Sequence, residues 1–385
     1  MQVERLALED FRNYEREEVD LGSGLNLVLG RNAQGKTNLL EAIYCLSGLG
    51  SPRGNDGALV RSGCERALLH GLVVKGQRKI EVDLELRPGR GTRALINKTP
   101  VPKTRALGEV AVSVFFGPDE LSLVKGSPDG RRRFLDELVV KLRPVRDDLR
   151  REWERVLKQR NALLKSAPRG GGSGSVTATL EVWDDALVRT GAALAAARLE
   201  ALAALTPYAA KRYAEVAGGG RLELAYISSW ALQAQGELLG DVPDEASLRQ
   251  ALAAKLEEVR RHELERGISL VGPHRDDVGV ALESGSGSNP MLDARAYASQ
   301  GDQRTSALSL KLAEHDLLTD ALGDPPVLLL DDVFSELDPH RREWLKEAVR
   351  GRGQTLLSSA EEASVDLAGA DRVIEVVEGR IKPHG

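Results

Sequence analysis

The sequence predicts an α/β unit interrupted by a mainly helical insertion. Three observations predict it. A strand, a glycine-rich loop with the spacing GxxxxGK[ST] and a helical pattern follow one another between residues 25 and 46. A second buried apolar run, PVLLLDD (326–332), ends in paired carboxylates. Between them Leu135, Leu142, Leu149, Val156 and Leu163 recur every seven residues, the pattern of a helical pairing surface.

The elements follow in order. VERLALEDF and LNLVLG are β-type apolar runs, and Ile80 to Leu86 alternates apolar with polar side chains. A helix from Lys36 to Leu46 lies between the last two. VAVSVFF is a further β-rich run, closed by Gly117-Pro118. The character changes near residue 120, ahead of the heptad that starts at Leu135. Pro144 cannot sit inside a helix without disrupting it, so two helices meeting near Arg143 are expected. PRGGGSGSVT (168–177) reads as the tip of an antiparallel hairpin, with a second helix from Leu180 to Val216. GGGRLELAYISSW reads as a strand and EASLRQALAAKLEEVRRHELER as a helix. ISLVGPHRDDVGVAL reads as a strand interrupted at Gly272-Pro273, and ESGSGSNPM as a loop. The end alternates: helix 302–318, strand PVLLLDD, helix 339–350, strands QTLLSS and RVIEVVEG. The expected division is a head of 1–120 plus 265–385 and a helical lobe of 121–264, with its tip near 168–176.

Composition sets outer limits. A chain of 385 residues suggests two or three compact units, and an apolar fraction of 42% suffices for their cores. No run of about 18 apolar residues occurs, so no transmembrane helix and no membrane partner is expected. The N-terminal stretch lacks the apolar segment of a secretory signal. Cys45 and Cys64 stand at no metal-ligand spacing and read as buried or incidental thiols, which fits a cytoplasmic protein. A net charge of −5 gives no general affinity for polyanions, so contact with nucleic acid needs a local basic patch.

The strongest motif is GRNAQGKT. The glycines let backbone N–H groups close around phosphates, Lys36 would neutralise the terminal phosphates, and Thr37 would offer its hydroxyl to Mg²⁺. Five apolar residues of PVLLLDD form a buried strand that delivers Asp331 and Asp332 to its carboxyl edge. Asp331 fits the Mg²⁺-side carboxylate and Asp332 could orient an attacking water. In Ser335-Glu336-Leu337-Asp338-Pro339, Asp338 reads as a helix N-cap with Pro339 after it, a reading compatible with a loop facing a partner's nucleotide. In YASQGDQRT (297–305), Ser299 can cap a helix carrying Leu310, Ala313 and Leu317. Gly301 also lets a phosphate approach the backbone.

The P-loop, the S-x-G-x-Q of Ser299, Gly301 and Gln303, and the strand with Asp-Asp and S-E-L-D together resemble the ABC-type ATPase head of SMC and Rad50 proteins. LALEDFRNY, GLNLVLGRNAQGKTNLLEAIY, FFGPDELSLVKGSPDGRRRFLD, VLKQRNALLK, GPHRDD, YASQGDQRTSALSLKLAE and LLLDDVFSELD narrow the resemblance to the bacterial RecF family, over most of the chain and in order. The resemblance implies a P-loop ABC-type ATPase head with a helical lobe and a short helical hairpin in place of a long coiled coil. It implies a homodimer formed with ATP and Mg²⁺. One subunit would offer Gly30, Arg31, Asn32, Ala33, Gln34, Gly35, Lys36, Thr37 and Asn38 with Asp331 and Asp332. The other would offer Ser299, Gln300 and Gly301, with Asp338 close by. It further implies a clamp on duplex DNA near gaps that works with RecR and RecO to load RecA in recombinational repair, replication restart and the SOS response. A weak, DNA-stimulated ATPase would release that clamp.

The chain departs from the wider ABC pattern. Asp332 stands where a catalytic Glu is usual, one methylene shorter, which suggests slow hydrolysis suited to a switch. The glutamine-bearing lid loop has no clear counterpart; FFGPDEL, with Asp119 and Glu120, is the segment that would take its place. Ser358 and Ser359 replace the switch histidine, and Asp302 stands where the family motif has Gln. For DNA, the densest basic run is Arg131, Arg132 and Arg133, followed by Lys141, Arg143 and Arg146, then Lys158, Arg160 and Lys165. A solvated helix face paired with nearby acids explains them equally well. Without an aromatic stacking run, duplex is favoured over single strand. His274 has no second histidine at ligand spacing and stays unassigned. A transporter ATPase subunit would need a membrane partner, an SMC-type organiser needs coiled coils too long for this chain, and a small-molecule P-loop kinase leaves S-x-G-x-Q without a job.

Overall fold

A computed structural model describes residues 1–54, 56–166, 174–231, 242–283, 291–360 and 369–383, the side chains of 174–178, 335, 336 and 383 excepted. The tip near 168–176 lies almost wholly outside the described residues, as do residues 284–290 of the loop ESGSGSNPM.

The chain begins with β1 (Gln2–Phe11), β2 (Tyr14–Asp20), β3 (Leu25–Leu29), α1 (Lys36–Cys45), β4 (Ala67–Lys75), β5 (Arg78–Arg87), β6 (Gly91–Ile96), β7 (Thr99–Val101) and β8 (Ser113–Phe116). It continues through α2 (Ser122–Lys125), α3 (Pro128–Leu142), α4 (Asp147–Ser166), α5 (Gly174–Ala217), β9 (Arg221–Ile227), α6 (Glu245–Arg266), β10 (Asp277–Glu283), β11 (Leu292–Asp293) and α7 (Ala294–Tyr297). It closes with α8 (Gln300–Leu322), β12 (Val327–Asp331), α9 (Pro339–Val349), β13 (Thr355–Ser359), β14 (Arg372–Val377) and β15 (Arg380–Pro383).

Two compact units result, one of Met1–Leu121 with Ala307–Gly385 and one of Ser122–Ser306. In the first, an antiparallel sheet runs β2-β1-β4-β5-β6-β7 and a second sheet runs β15-β14-β3-β13-β12-β8. β14, β3, β13, β12 and β8 are parallel, and β15 is an antiparallel edge. One apolar cluster joins Leu6, Leu8 and Phe11 of β1, Leu39, Leu40 and Ile43 of α1, and Leu329 and Leu356 of the parallel sheet. A bulge between Val3 and Arg5 shifts the alternation of β1 by one residue, which keeps both Val3 and Leu6 inside. All five residues of β12 are buried, as a parallel strand covered on both faces requires.

In the second unit α3 ends at Leu142 with Arg143 as its cap, Pro144 opens a 3-10 turn, and α4 starts at Asp147, so the proline divides the helices where expected. Ion pairs Arg146–Glu200, Arg189–Glu152 and Arg160–Asp184 give α4 and α5 an antiparallel register. The buried seam of α4 is Trp153, Val156, Arg160 and Leu164 rather than the strict heptad through Leu163. An α-helix turns every 3.6 residues, so a seven-residue repeat drifts off the contact face.

Two expectations need correction. The second boundary falls at Ser306/Ala307, not near 265, because β10 pairs with β9 and β11 and holds this segment in the helical unit. ISLVGPHRDDVGVAL is a strand only from Asp277. Gly267, left-handed at φ 68, caps α6, and Gly272 at φ 125 turns the chain.

Candidate functional site

The parallel sheet decides what meets at its carboxyl edge. β3 ends in the glycine-rich loop, β12 in Asp331 and Asp332, and β13 lies between them and ends in Ser358 and Ser359. β8 delivers Gly117, where an added Cβ would stand 3.5 Å from Asp331 Cβ. The start of FFGPDEL therefore borders the carboxylates.

The loop needs backbone shapes that side chains resist. Gly30 and Gly35 have φ 152 and 123, and Ala33 is left-handed at φ 63. A Cβ on Gly30 would lie 2.3 Å from Val376 O, and one on Gly35 would strike Asn13 and the Tyr14 hydroxyl. α1 has no side-chain cap, so its first turn presents N–H groups as an anion site does. Lys36 Nζ donates to Gly30 O at 2.6 Å and Arg31 O at 3.0 Å. Burial pulls its pKa down, against the attraction of Asp332 and Asp331.

Thr37 Oγ1 donates to Asp331 Oδ2 at 2.7 Å, and Ser358 Oγ donates to Asp331 Oδ1 at 2.6 Å. Burial pushes the Asp331 pKa up, while the hydroxyls of Ser358 and Thr37 hold it back. A hydroxyl and a carboxylate side by side form an all-oxygen donor pair of the kind Mg²⁺ takes, next to a cradle of N–H groups and a lysine suited to polyphosphate. The residues present therefore fit both groups. Asp332 follows at φ 49, ψ 32, with its N–H donating to Ser358 Oγ at 2.9 Å.

Further residues brace this edge. Asn13 Nδ2 donates to Gln34 O at 2.9 Å, Tyr14 OH to Gly35 O at 2.9 Å, and Gly379 N to Gln34 O at 2.9 Å. Asn38 Nδ2 donates to Asn13 Oδ1, and Arg53 to Asn38 Oδ1, both at 2.8 Å. Behind the first turn of α1, fully buried Glu41 is held by Arg12, Arg53 and Ser51. Burial raises its pKa, but those bonds outweigh burial and hold it below the usual range. Sequence reasoning gave Asn13, Tyr14 and Gly379 no role. The only signal was the segment DFRNY, and nothing in it says that it touches the loop. Arg31 and Asn32 are exposed at the loop's tip.

Ser299 is exposed and caps α8. Its hydroxyl accepts from Asp302 N at 3.2 Å and donates to Asp302 Oδ2 at 2.8 Å. That explains an acid where the family motif has Gln, since a carboxylate in the first turn suits the helix dipole. Gln300 is exposed and Gly301 half-buried, whereas Gln303 is buried and donates to Ala298 O at 3.2 Å. Asp338 caps α9, accepting from Arg341 N at 3.0 Å, and that bond lowers its pKa. The side chains of Ser335 and Glu336 lie outside the described residues.

The basic run does not form the expected DNA surface. Arg131 is 5% exposed and doubly bonded to Asp277 at 2.7 and 2.8 Å. Arg132 donates to Asp276 O at 2.6 Å, Arg133 pairs with Glu137 at 2.8 Å, and Lys141 is 3% exposed. Arg160, also expected to face DNA, is 1% exposed and donates to Asp184, Ser269 and Glu263 at 2.6, 2.8 and 2.6 Å. The fold supplies carboxylates for these guanidinium groups. His274 packs against Trp153, with ring centroids 5.7 Å apart, and burial lowers its pKa to about 4.

The family described as RecF/RecN/SMC N terminal domain matches residues 2–382. A DNA replication and repair protein RecF of Streptomyces avermitilis is 44% identical over 99% of this chain and all of its own length. One of Kineococcus radiotolerans is 46% identical over 96% of this chain and 95% of its own. A solved structure described as the recombination mediator protein RecF-ATP in the RecFOR pathway superposes with a TM-score of 0.87 at 28% identity, covering 100% of this chain and 97% of that one. The Smc head domain of Pyrococcus furiosus, at 14% identity and a TM-score of 0.54 over 99% of this chain and 95% of that one, shares the fold alone. Among the described residues no helix is long and apolar enough to cross a membrane.

Proposed function

The chain belongs to the RecF family and has its ABC-type ATPase fold, and from that premise we propose that it is an ATP-gated DNA-binding protein of replication and repair. Lys36 and the N–H groups of the glycine-rich loop bind the phosphates of ATP, and Thr37 and Asp331 hold Mg²⁺. Held there, Mg²⁺ would supply Lewis-acid stabilisation of the charge that develops on the phosphates during phosphoryl transfer. Asp332 orients the attacking water with a shorter arm than glutamate, so hydrolysis is slow. A second copy completes the site with Ser299, Gln300 and Gly301 at the start of α8, and Asp338 lies near that junction. The joined heads clamp duplex DNA near gaps, act with RecR and RecO to load RecA, and let go on hydrolysis. Arg131, Arg132, Arg133 and Lys141, engaged within the fold, are not the DNA contact.

The observation that carries the reading is the 2.7 Å bond between the Thr37 hydroxyl and the Asp331 carboxylate beside Lys36, from segments 294 residues apart. Sedimentation and DNA binding, each with and without ATP, test it on wild type, Lys36→Met and Ser299→Arg. Wild type should dimerise and bind duplex only with ATP. Lys36→Met should lose both, and Ser299→Arg should still bind ATP yet stay monomeric. A Lys36→Met protein that dimerises normally sinks the gate, and a dimeric Ser299→Arg returns that serine to capping alone.

A further inference from the structure

We propose that Ser358 is a positioning residue for hydrolysis, its one hydroxyl holding the Asp331 carboxylate and the Asp332 main chain in a fixed relation. The proposal rests on the nucleotide-site reading above and adds a residue to it.

Topology brings the residue there. β13 is the strand between β3 and β12, and Ser358 is the register partner of Asp331. Ser358 is fully buried, where a hydroxyl is costly unless it is bonded. It is bonded twice, donating to Asp331 Oδ1 at 2.6 Å and accepting from Asp332 N at 2.9 Å. A hydroxyl has one donor and two acceptor lone pairs, so a single small side chain can do both. Alanine can do neither.

Each bond fixes something the reaction uses. The second oxygen of Asp331 accepts from Thr37 at 2.7 Å, so the carboxylate is clamped from both sides and cannot rotate without losing a bond. That clamp sets which oxygen is turned toward the Thr37 hydroxyl. Asp332 sits in the left-handed region at φ 49, which a residue with a side chain avoids unless held. Its N–H is turned onto Ser358 Oγ, and relaxation of that peptide would swing its carboxylate away from the loop. Ser358 touches no reacting atom and acts through its two neighbours.

The test compares wild type, Ser358→Ala and Ser358→Thr as full chains. It measures kcat and KM for ATP, ATP binding across a Mg²⁺ titration, and the melting temperature as a check on folding. Ser358→Ala should bind ATP without Mg²⁺ as wild type does, need more Mg²⁺ for half-saturation, and lose about tenfold to a hundredfold in kcat with KM little changed. Ser358→Thr, which keeps the hydroxyl, should recover most of the rate. A Ser358→Ala protein with wild-type kcat and Mg²⁺ requirement overturns the proposal. So does equal impairment of the alanine and threonine variants, which would make the residue a matter of packing. If wild type itself binds no ATP, the nucleotide reading falls and this inference falls with it.

Discussion

In the helical unit Arg131, Arg160 and Arg198 each meet a carboxylate, and Arg198 Nη1 also donates to Pro273 O at 2.7 Å. At the carboxyl edge of the parallel sheet, Lys36 leans on two carbonyl oxygens and Asp331 on two hydroxyls. The first set is closed, every charge answered by the protein. The second is made of bonds that phosphate oxygens or a cation can take over. What a basic residue does therefore depends less on its neighbours in sequence than on whether the fold supplies its counter-ion.

Breaking the closed set should cost most. Arg160→Ala leaves Glu263, fully buried, without its cation and should lower stability by about 3–5 kcal/mol, read as a fall in the urea midpoint. A loss below about 1 kcal/mol would show that the cluster is not the closed network described. Lys36→Met sharpens the contrast from the other side. It should remove about 2 kcal/mol of ATP affinity, roughly thirtyfold by calorimetry, with no fall in the urea midpoint.

Acid separates the histidines from the carboxylates. Burial lowers His274 and His315 to about 4 from 6.5, so the unfolded chain takes up their protons first. Their contribution is whole above pH 6.5 and drains away as pH falls from 6.5 toward 4. Asp276, buried among Tyr226, Ser228 and Trp230, is raised to about 6 from 3.8 and works in the opposite direction, adding stability as pH falls between those values. Two histidines against one aspartate leave a net loss in acid. His274→Gln should reduce the slope of unfolding free energy against pH in that window by up to about 1.4 kcal/mol per pH unit. An unchanged slope would mean that His274 is not titrating out of step with the unfolded chain. The smallest effect belongs to Arg133→Ala. It removes a half-exposed pair with Glu137 worth about 0.3–0.5 kcal/mol. Duplex affinity and its salt dependence should not move, and a shallower salt slope would restore Arg133 as a DNA contact.

Legibility in the sequence followed the range of the forces involved. The P-loop, the carboxylate pair and the break at Pro144 are local chemistry and were readable. Strand order is not local, so nothing told that β13 would set Ser358 between the loop and Asp331, or that β9 and β10 would draw residues 268–306 into the helical unit. Asn13, Tyr14 and Gly379 were invisible for the same reason. The fate of Arg131 was partly readable. It lies four and seven residues before Leu135 and Leu138, on the apolar face of α3, so the periodicity that announced the helix also pointed this arginine inward. Arg160 lies likewise four residues after Val156 in the buried seam of α4.

Asp332 means something different when the chain is viewed as an object of selection. Its left-handed backbone costs about 1 kcal/mol that glycine would not incur. Selection for thermal tolerance alone would favour replacing it, and with the substitution would go the carboxylate that follows Asp331 at the sheet edge. Asp332 therefore marks a position that stabilising redesign should leave alone.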